Sequence, residues 1–311
     1  ADDIAEFESK IESNDIPSDG LVLLLDDIAL GERLGSTSKF PRNAMAFKWS
    51  DERQVTKLKY IEWSPSRTGL INPVAVFEPV ELEGTTVSRA SLHNVSIFED
   101  LMLGVGDEIS VYKANMIIPQ VYENLTKSNT EKVPDTCPAC GSHARIKQDN
   151  ESKVLIFTNP DCQIKHIKQY ALMASRDALN IDGLSESTLE KFLSKGFIKN
   201  DSDIFKLDRY KDEIVNMAGF GRRSYEKLMA ALEEAKHTNV ARFLYSLGIN
   251  GIGSANAKMI AKYFDNDIDK IITAGKDELL EIEGIGEVLA NSIVEFFKDS
   301  KNIENVKSLR E

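Results

Sequence analysis

The sequence predicts a multidomain α+β protein: a short mixed opening segment, a small β-barrel, a cysteine knuckle and a long all-α region. Three observations predict it. Short β-branched runs fill the stretch from about Lys57 to Asn124, the period becomes helical from about Lys165 onward, and a glycine motif recurs at nearly constant spacing in that second half. A chain of 311 residues also exceeds one comfortable hydrophobic core.

In the opening segment "GLVLLL" (Gly20 to Leu25) reads as a buried strand, and "LGSTSKFPRNAMAFKWSDE" after it is mixed and punctuated by Gly and Pro. This is part of a domain rather than a whole one. The runs "LKYIEWS", "NPVAVFEPVEL", "TTVSRASLHN" and "DEISVYKANMIIPQVY" then alternate with turn signals, as the strands of a small barrel or sandwich do. Polar "TKSNTEKVPDT" leads into the cysteines. No apolar run approaches the ~20 residues needed to span a bilayer, and no charged and then apolar leader opens the sequence. A soluble, monomeric, cytoplasmic protein is expected, with no membrane partner.

The glycine motif has three close copies and a looser one. "NMAGFGRRSYEKLMAAL" carries Gly219 and Gly221 around Phe220, "GINGIGSANAKMIAKYF" carries Gly251 and Gly253 around Ile252, and "IEGIGEVLANSIVEFF" carries Gly284 and Gly286 around Ile285. "IDGLSESTLEKFL" keeps Gly183 and Leu184 only. The first glycines of the close copies stand 32 and 33 residues apart. Each copy reads as helix, tight turn, helix. The first glycine permits positive φ, the apolar residue points inward and pins the hairpin, and the second glycine omits a Cβ so that another backbone can approach. A row of N–H groups at a helix N-terminus remains outside, a ready anion site. A simple C-cap accounts for one such glycine but does not require Gly-hydrophobe-Gly each time. The net charge of -12 argues against wholesale coating of nucleic acid by cations, but amides bind phosphate without them.

"CPACGS" and "TNPDCQ" supply Cys137, Cys140 and Cys162, the three cysteines of the chain. That number is no disulfide framework, and C-x-x-C is a half-site for tetrahedral zinc, which wants four ligands when structural. His143 or His166 is the fourth donor, or the segment is a metal-free loop.

The repeat resembles the helix-hairpin-helix motif of proteins that grip duplex DNA backbones without reading sequence. In the order barrel, knuckle, hairpins, the chain is similar throughout to the C-terminal two-thirds of the bacterial NAD-dependent DNA ligase family. "SDGLVL" and "LGSTSKFPRNAMAFKW" resemble its nucleotidyltransferase domain; "SRTGLINPVAVFEPVELEGTTVSRASLHN" and "GDEISVYKANMIIPQV" resemble its OB fold; "ASRDALNIDGL" resembles the start of its helical part. The resemblance implies the end of a nucleotidyltransferase (adenylation) domain at 1–56, an OB-fold domain at 57–127, a zinc-finger-like segment at 128–165 and a helix-hairpin-helix domain with four repeats at 166–311. It implies nick sealing in duplex DNA by adenylyl transfer from NAD, with Mg2+ at the phosphates and Zn2+ on the cysteines.

Carried onto this sequence, Asp19 and Lys48 serve the adenylate. Arg67, Arg89 and Lys113, with Gly219, Gly221, Gly251, Gly253, Gly284 and Gly286, serve nicked DNA, and Cys137, Cys140 and Cys162 serve zinc. Three departures accompany the match. The sequence holds no K-x-D-G phrase, so the chain is not expected to adenylate itself. Leu24 stands where the family usually carries a lysine, and Phe157 stands where it carries a further zinc cysteine. The alternative is a catalytically silent duplex-binding module of the same ancestry.

Overall fold

The structure, a computed structural model, describes residues 4, 6, 7, 10, 20–37, 39–48 and 52–310. It divides into two compact units. One comprises Ala1–Ser64, Ile71–Asp135 and Arg145–Ile156; the other comprises Pro65–Leu70, Thr136–Ala144 and Phe157–Glu311.

The first unit opens with strand β1 (Gly20–Leu24), helix α1 (Ile28–Leu34) and strand β2 (Ala44–Lys48). Asp27 starts α1 by accepting from the Leu30 amide at 2.9 Å, satisfying one of the orphan N–H groups of the first turn. β1 and β2 pair antiparallel, Gly20 opposite Lys48 and Leu24 opposite Ala44. The expected strand at "GLVLLL" is present, but it is not buried: Val22 is 65% and Leu24 69% exposed. Among the described residues this sheet has two strands, too few to cover either apolar face.

Strands β3 (Gln54–Pro65), β4 (Leu70–Leu82), β5 (Thr85–Ser91), β6 (Glu108–Ala114) and β7 (Ile118–Asn124) follow the order β3-β6-β7-β5-β4, and β4 also pairs with β3, so they close a barrel. β5 and β7 run parallel, Ser91 opposite Gln120, and the short helix α2 (Val95–Asp100) lies between β5 and β6 in sequence. Closure leaves these strands no free edge. The interior takes Leu58, Phe77, Leu82, Leu92, Phe98, Leu103, Ile109 and Val111. The strict alternation of β4 breaks at Ala75, Val76 and Phe77, all buried, beside a register shift against β5 between Val76 and Val80 that bends the strand. β8 (Ala144–Asp149) and β9 (Ser152–Phe157) continue the sheet outward from β4.

A buried carboxylate ties the end of β7 to the turn before β6. Asp107 Oδ2 accepts from Asn124 Nδ2 (2.7 Å), the Gly104 amide (2.8 Å) and the Ser128 amide (3.3 Å). The Asn124 amide group also donates to the Leu101 and Met102 carbonyls, both at 3.0 Å. Burial alone pushes this carboxyl up, but the hydrogen bonds from Ser128, Asn124 and Gly104 outweigh it and hold Asp107 below the ordinary carboxylate value.

The second unit is helical: α3 (Gln163–Ala174), α4 (Glu186–Ser194), a 3-10 segment (Asp201–Tyr210), α5 (Lys211–Val215), α6 (Arg222–Ala235), α7 (Val240–Ser246), α8 (Ser254–Tyr263), α9 (Ile268–Thr273), α10 (Lys276–Leu280), α11 (Glu287–Lys298) and α12 (Ser300–Arg310). It has two cores. Leu184, Leu189, Phe192, Tyr225 and Leu228 belong to the first, and Ile249, Ile252, Ile260, Ile285 and Ile293 to the second. Each core is shared by two glycine turns, since a single short hairpin cannot bury its own apolar face. No helix among the described residues is long and apolar enough to cross a membrane.

Replacing Asp107 with Ala strands the Gly104 and Ser128 amides, which is expected to cost about 3 kcal/mol in denaturant unfolding of the barrel. Because the folded carboxyl is the lower one, its stabilisation is complete above the unfolded carboxylate value and disappears as pH falls through the folded value. The acid limb of the stability curve should therefore be shallower in the variant than in the parent.

Candidate nucleic-acid interface

The turn geometry follows from the glycines. Gly183, Gly219, Gly251 and Gly284 all have left-handed backbones, with φ of 94°, 86°, 78° and 86°. A side chain at such a φ is strained, so the chain reverses there only because the residue is glycine. In the three close copies the next residue closes the turn, its amide donating to the carbonyl three residues back: Phe220 to Met217 (2.9 Å), Ile252 to Ile249 (3.1 Å) and Ile285 to Ile282 (3.0 Å). Leu184, Ile252 and Ile285 are buried and Phe220 half-buried, pinning each turn to its core.

The second glycines do something different. Gly221, Gly253 and Gly286 are extended N-caps of α6, α8 and α11, and a Cβ built on any of them meets nothing within 4 Å. Neither backbone strain nor packing among the described residues requires glycine there. What the missing side chains leave open is the approach to the orphan amides of three helices.

The copies are not equivalent as anion sites. In the looser one Ser185 takes the N-cap place and accepts from the Thr188 amide at 3.3 Å. In the second, Ser224 Oγ accepts from the Gly221 amide at 2.9 Å, although Arg222 and Arg223 follow at once. In the fourth, Glu287 stands in the first turn of α11, beside Lys276. The third has no acid in the first turn of α8 and no side chain on its cap, which makes it the most open to phosphate.

The turns also cover one another in pairs. A Cβ on Gly251 would meet Leu289 Cδ2 of α11 at 2.8 Å, and one on Gly284 would meet Met259 Cε of α8 at 3.3 Å. In the other pair Gly183 faces Leu228 and Gly219 faces Lys191 Nζ at 3.6 Å. Lys191 and Met259 both stand eight residues after the first glycine of their own copies. The pairing thus brings a cation to the Gly219 turn, where Lys191 Nζ donates to the Ala218 carbonyl at 3.0 Å. Sequence reading missed Lys191; aligning the copies by that offset would have found it.

The side chains singled out earlier have varied surroundings. Lys48, at the end of β2, donates to Asn115 Oδ1 at 3.1 Å. Arg89 is exposed and pairs with Glu62 at 2.7 Å. Lys113 is buried and donates to Thr85 Oγ1 at 2.6 Å. Asp19 lies outside the described residues. Arg67 is half-buried, its Nη1 donating to the Gly248 carbonyl at 2.6 Å, and Gln169 Nε2 donates to the neighbouring Leu247 carbonyl at 3.1 Å. The two side chains close off carbonyls at the C-terminus of α7, where a cation is favoured. Burial lowers the Arg67 pKa, partly countered by Tyr245, and the guanidinium stays charged.

The knuckle is formed by Cys137 and Cys140, with Cys162 capping α3. The Cys137 amide donates to the Ser142 carbonyl (2.8 Å) and the Gly141 amide to the Cys137 carbonyl (2.9 Å). The three sulfurs lie within 4.8 Å of one another. Hydrogen bonding from Ser142 leads the causes that pull the Cys140 thiol down to about 6, whereas burial pushes Cys162 up. Three soft donors so gathered fit a zinc ion at three of four positions. Neither His143 nor His166 joins the cluster: among the described residues it comprises the three cysteines alone. His166 instead bears on Asp201, whose carboxyl burial raises and the imidazole lowers. The histidine expected as fourth donor is therefore not found beside the sulfurs, although the His166 amide donates to the Cys162 carbonyl at 3.3 Å and His143 bridges by backbone to Thr136. Phe157 is buried, its amide on the Gly69 carbonyl at 2.9 Å.

A closed five-stranded barrel with one parallel pair and a helix before its fourth strand, in one chain with paired glycine turns, defines an OB-fold and helix-hairpin-helix protein. Residues 55–133 match the NAD-dependent DNA ligase OB-fold domain, 1–52 the NAD-dependent DNA ligase adenylation domain, and 242–306 the helix-hairpin-helix motif. A DNA ligase of Ruminiclostridium cellulolyticum is 55% identical over 95% of this chain and 45% of its own length. One of Lachnoclostridium phytofermentans is 56% identical over 97% and 46%, and one of Fusobacterium nucleatum 38% identical over 98% and 44%. The chain belongs to the NAD-dependent DNA ligase family, and it spans a little under half the length of the relatives it matches.

Replacing Arg67 with Met removes a charge-assisted bond and leaves the Gly248 carbonyl without that donor, so the helical unit should lose about 2 kcal/mol. Hydrogen exchange of the amides that follow α7 should accelerate while those of α11 stay protected.

Proposed function

We propose that the chain is the DNA-gripping part of an NAD-dependent DNA ligase, which seals nicks in duplex DNA by adenylyl transfer. The observation that carries this reading is the open second glycine. At Gly253 and Gly286 a helix N-terminus is left open, and a Cβ built there meets none of the described residues within 4 Å. A phosphate diester is an anion thin enough to approach amides that closely, and amide contacts carry no base information, so the grip is independent of sequence. The arrangement reconciles phosphate binding with a net charge of -12.

In this reading Lys48 contacts the adenylate phosphate, and NAD and Mg2+ serve the whole enzyme. Cations around the transferring phosphate meet the charge that shifts during in-line displacement. The sequence holds no K-x-D-G phrase, so the chain supplies grip and not the adenylated lysine. Arg89 needs only release from its exposed pair with Glu62 to meet the backbone. Lys113 and Arg67 already have internal acceptors, and they hold the scaffold instead of touching DNA. The enzyme is cytoplasmic and monomeric.

The test separates fold from grip within one turn. Gly253→Ala and Gly286→Ala place methyl groups in open space at negative φ, so the double variant should stay folded, losing no more than about 1 kcal/mol at each cap. Its affinity for nicked and for intact duplex should fall at least roughly tenfold, the equivalent of one lost phosphate contact. Gly251→Ala, strained at φ 78° and crowded by Leu289, should lose stability by about 1–2 kcal/mol. Unchanged duplex binding by a folded Gly253→Ala/Gly286→Ala protein across a salt series would refute the amide grip.

A further inference from the structure

We infer that Cys137, Cys140 and Cys162 form a three-thiolate zinc site whose fourth position belongs to an exchangeable ligand from outside the chain, water at rest and a thiol when one is present. The inference starts from an inventory. The chain has three cysteines and four histidines, and all seven are described. The sulfurs lie within 4.8 Å of one another, close to the roughly 3.8 Å that separates sulfurs on a tetrahedral zinc ion, so little movement completes three bonds. No imidazole or carboxylate among the described residues reaches the group.

The surroundings decide which side is open. Cys137 and Cys162 are buried and Cys140 is half-buried, so a solute reaches the cluster on the Cys140 side. The polar groups there are the Ser142 hydroxyl, 3.1 Å from the Cys140 sulfur, and the Asn159 side chain. One is a neutral hydroxyl and the other an amide whose oxygen already accepts from the Asp161 amide at 3.0 Å, so both are poor competitors for a soft ion beside three thiolates. The Phe157 ring offers no donor at all, and its backbone is held by Gly69, so the chain does not bring another ligand in from that strand. A closed structural site has no such vacancy; an open one admits a fourth ligand by size and softness, and a small thiol satisfies both.

Cobalt makes the vacancy visible. The 311-residue chain, purified with a phosphine reductant and loaded with Co2+, should show thiolate-to-metal absorption and tetrahedral visible bands. Adding 2-mercaptoethanol should shift those bands saturably, and zinc absorption-edge fitting without thiol should return three sulfurs and one lighter atom. His143→Ala and His166→Ala should leave both readings alone. Phe157→Cys supplies a fourth sulfur, so its cobalt spectrum should no longer respond to thiol and its zinc should bind at least tenfold tighter in chelator competition. Should that variant misfold, the thiol titration of the parent still decides. No cobalt bands, bands indifferent to thiol in the parent, or four sulfurs around its zinc would each overturn the inference.

Discussion

The helical unit depends on a backbone reversal that only a left-handed residue can complete. Gly219, Gly251 and Gly284 each take φ near 80°, and everything else in the hairpin follows from that angle. The next residue is turned inward, its amide closes the turn, and the residue after it must be extended before the helix begins. That sequence of conformations aims the first amides of α6, α8 and α11 away from the core. Pairing the turns then removes the weakness of a single short hairpin. The turn at Gly251 rests on Leu289 and the turn at Gly284 on Met259, so each hairpin is held by side chains of the other.

The barrel unit solves the complementary problem of polar groups trapped by closure. Asp107 and Asn124 satisfy amides and carbonyls that have no place in a strand ladder, and they do so with one carboxylate whose burial is outweighed by its donors. Arg67 applies the same physics to a helix end in the other unit: a charged donor, half-buried, placed against carbonyls that a helix cannot satisfy by itself. Of the cations predicted to meet DNA, Arg67 and Lys113 are engaged inside the fold and Arg89 is exposed. Among the described residues, Val22, Leu24 and Met45 around β1 and β2 are exposed on a two-stranded sheet.

Much of this architecture was legible in advance. Glycine at a fixed interval reveals a backbone constraint, since only glycine relieves it, and the alternating runs between Lys57 and Asn124 reveal strands through the period of the pleat. The strands β8 and β9 were not read, because "ARIKQD" is polar and exposed on a sheet edge and carries little alternation. The strand at Gly20–Leu24 was legible as a strand, but its burial was not: among the described residues Val22 and Leu24 are exposed, and apolar composition alone does not name the segment that covers them. Among the site residues, the cysteine cluster was legible from spacing, but its fourth donor was not.

The residue types and their spacing, alone, determined where the chain turns, which residue of each turn points inward, and which three side chains offer sulfur. Those outcomes rest on sterics and chemistry that act between near neighbours. Only the tertiary structure decided that Arg67 meets the Gly248 carbonyl, 181 positions away, that Lys113 is buried against Thr85, 28 positions away, and that Ser224 occupies the Gly221 amide while that of Gly253 stays open. A cation or an amide is free or engaged according to which acceptor the completed fold sets beside it, and that acceptor lies, more often than not, in a part of the chain with which it shares no local pattern.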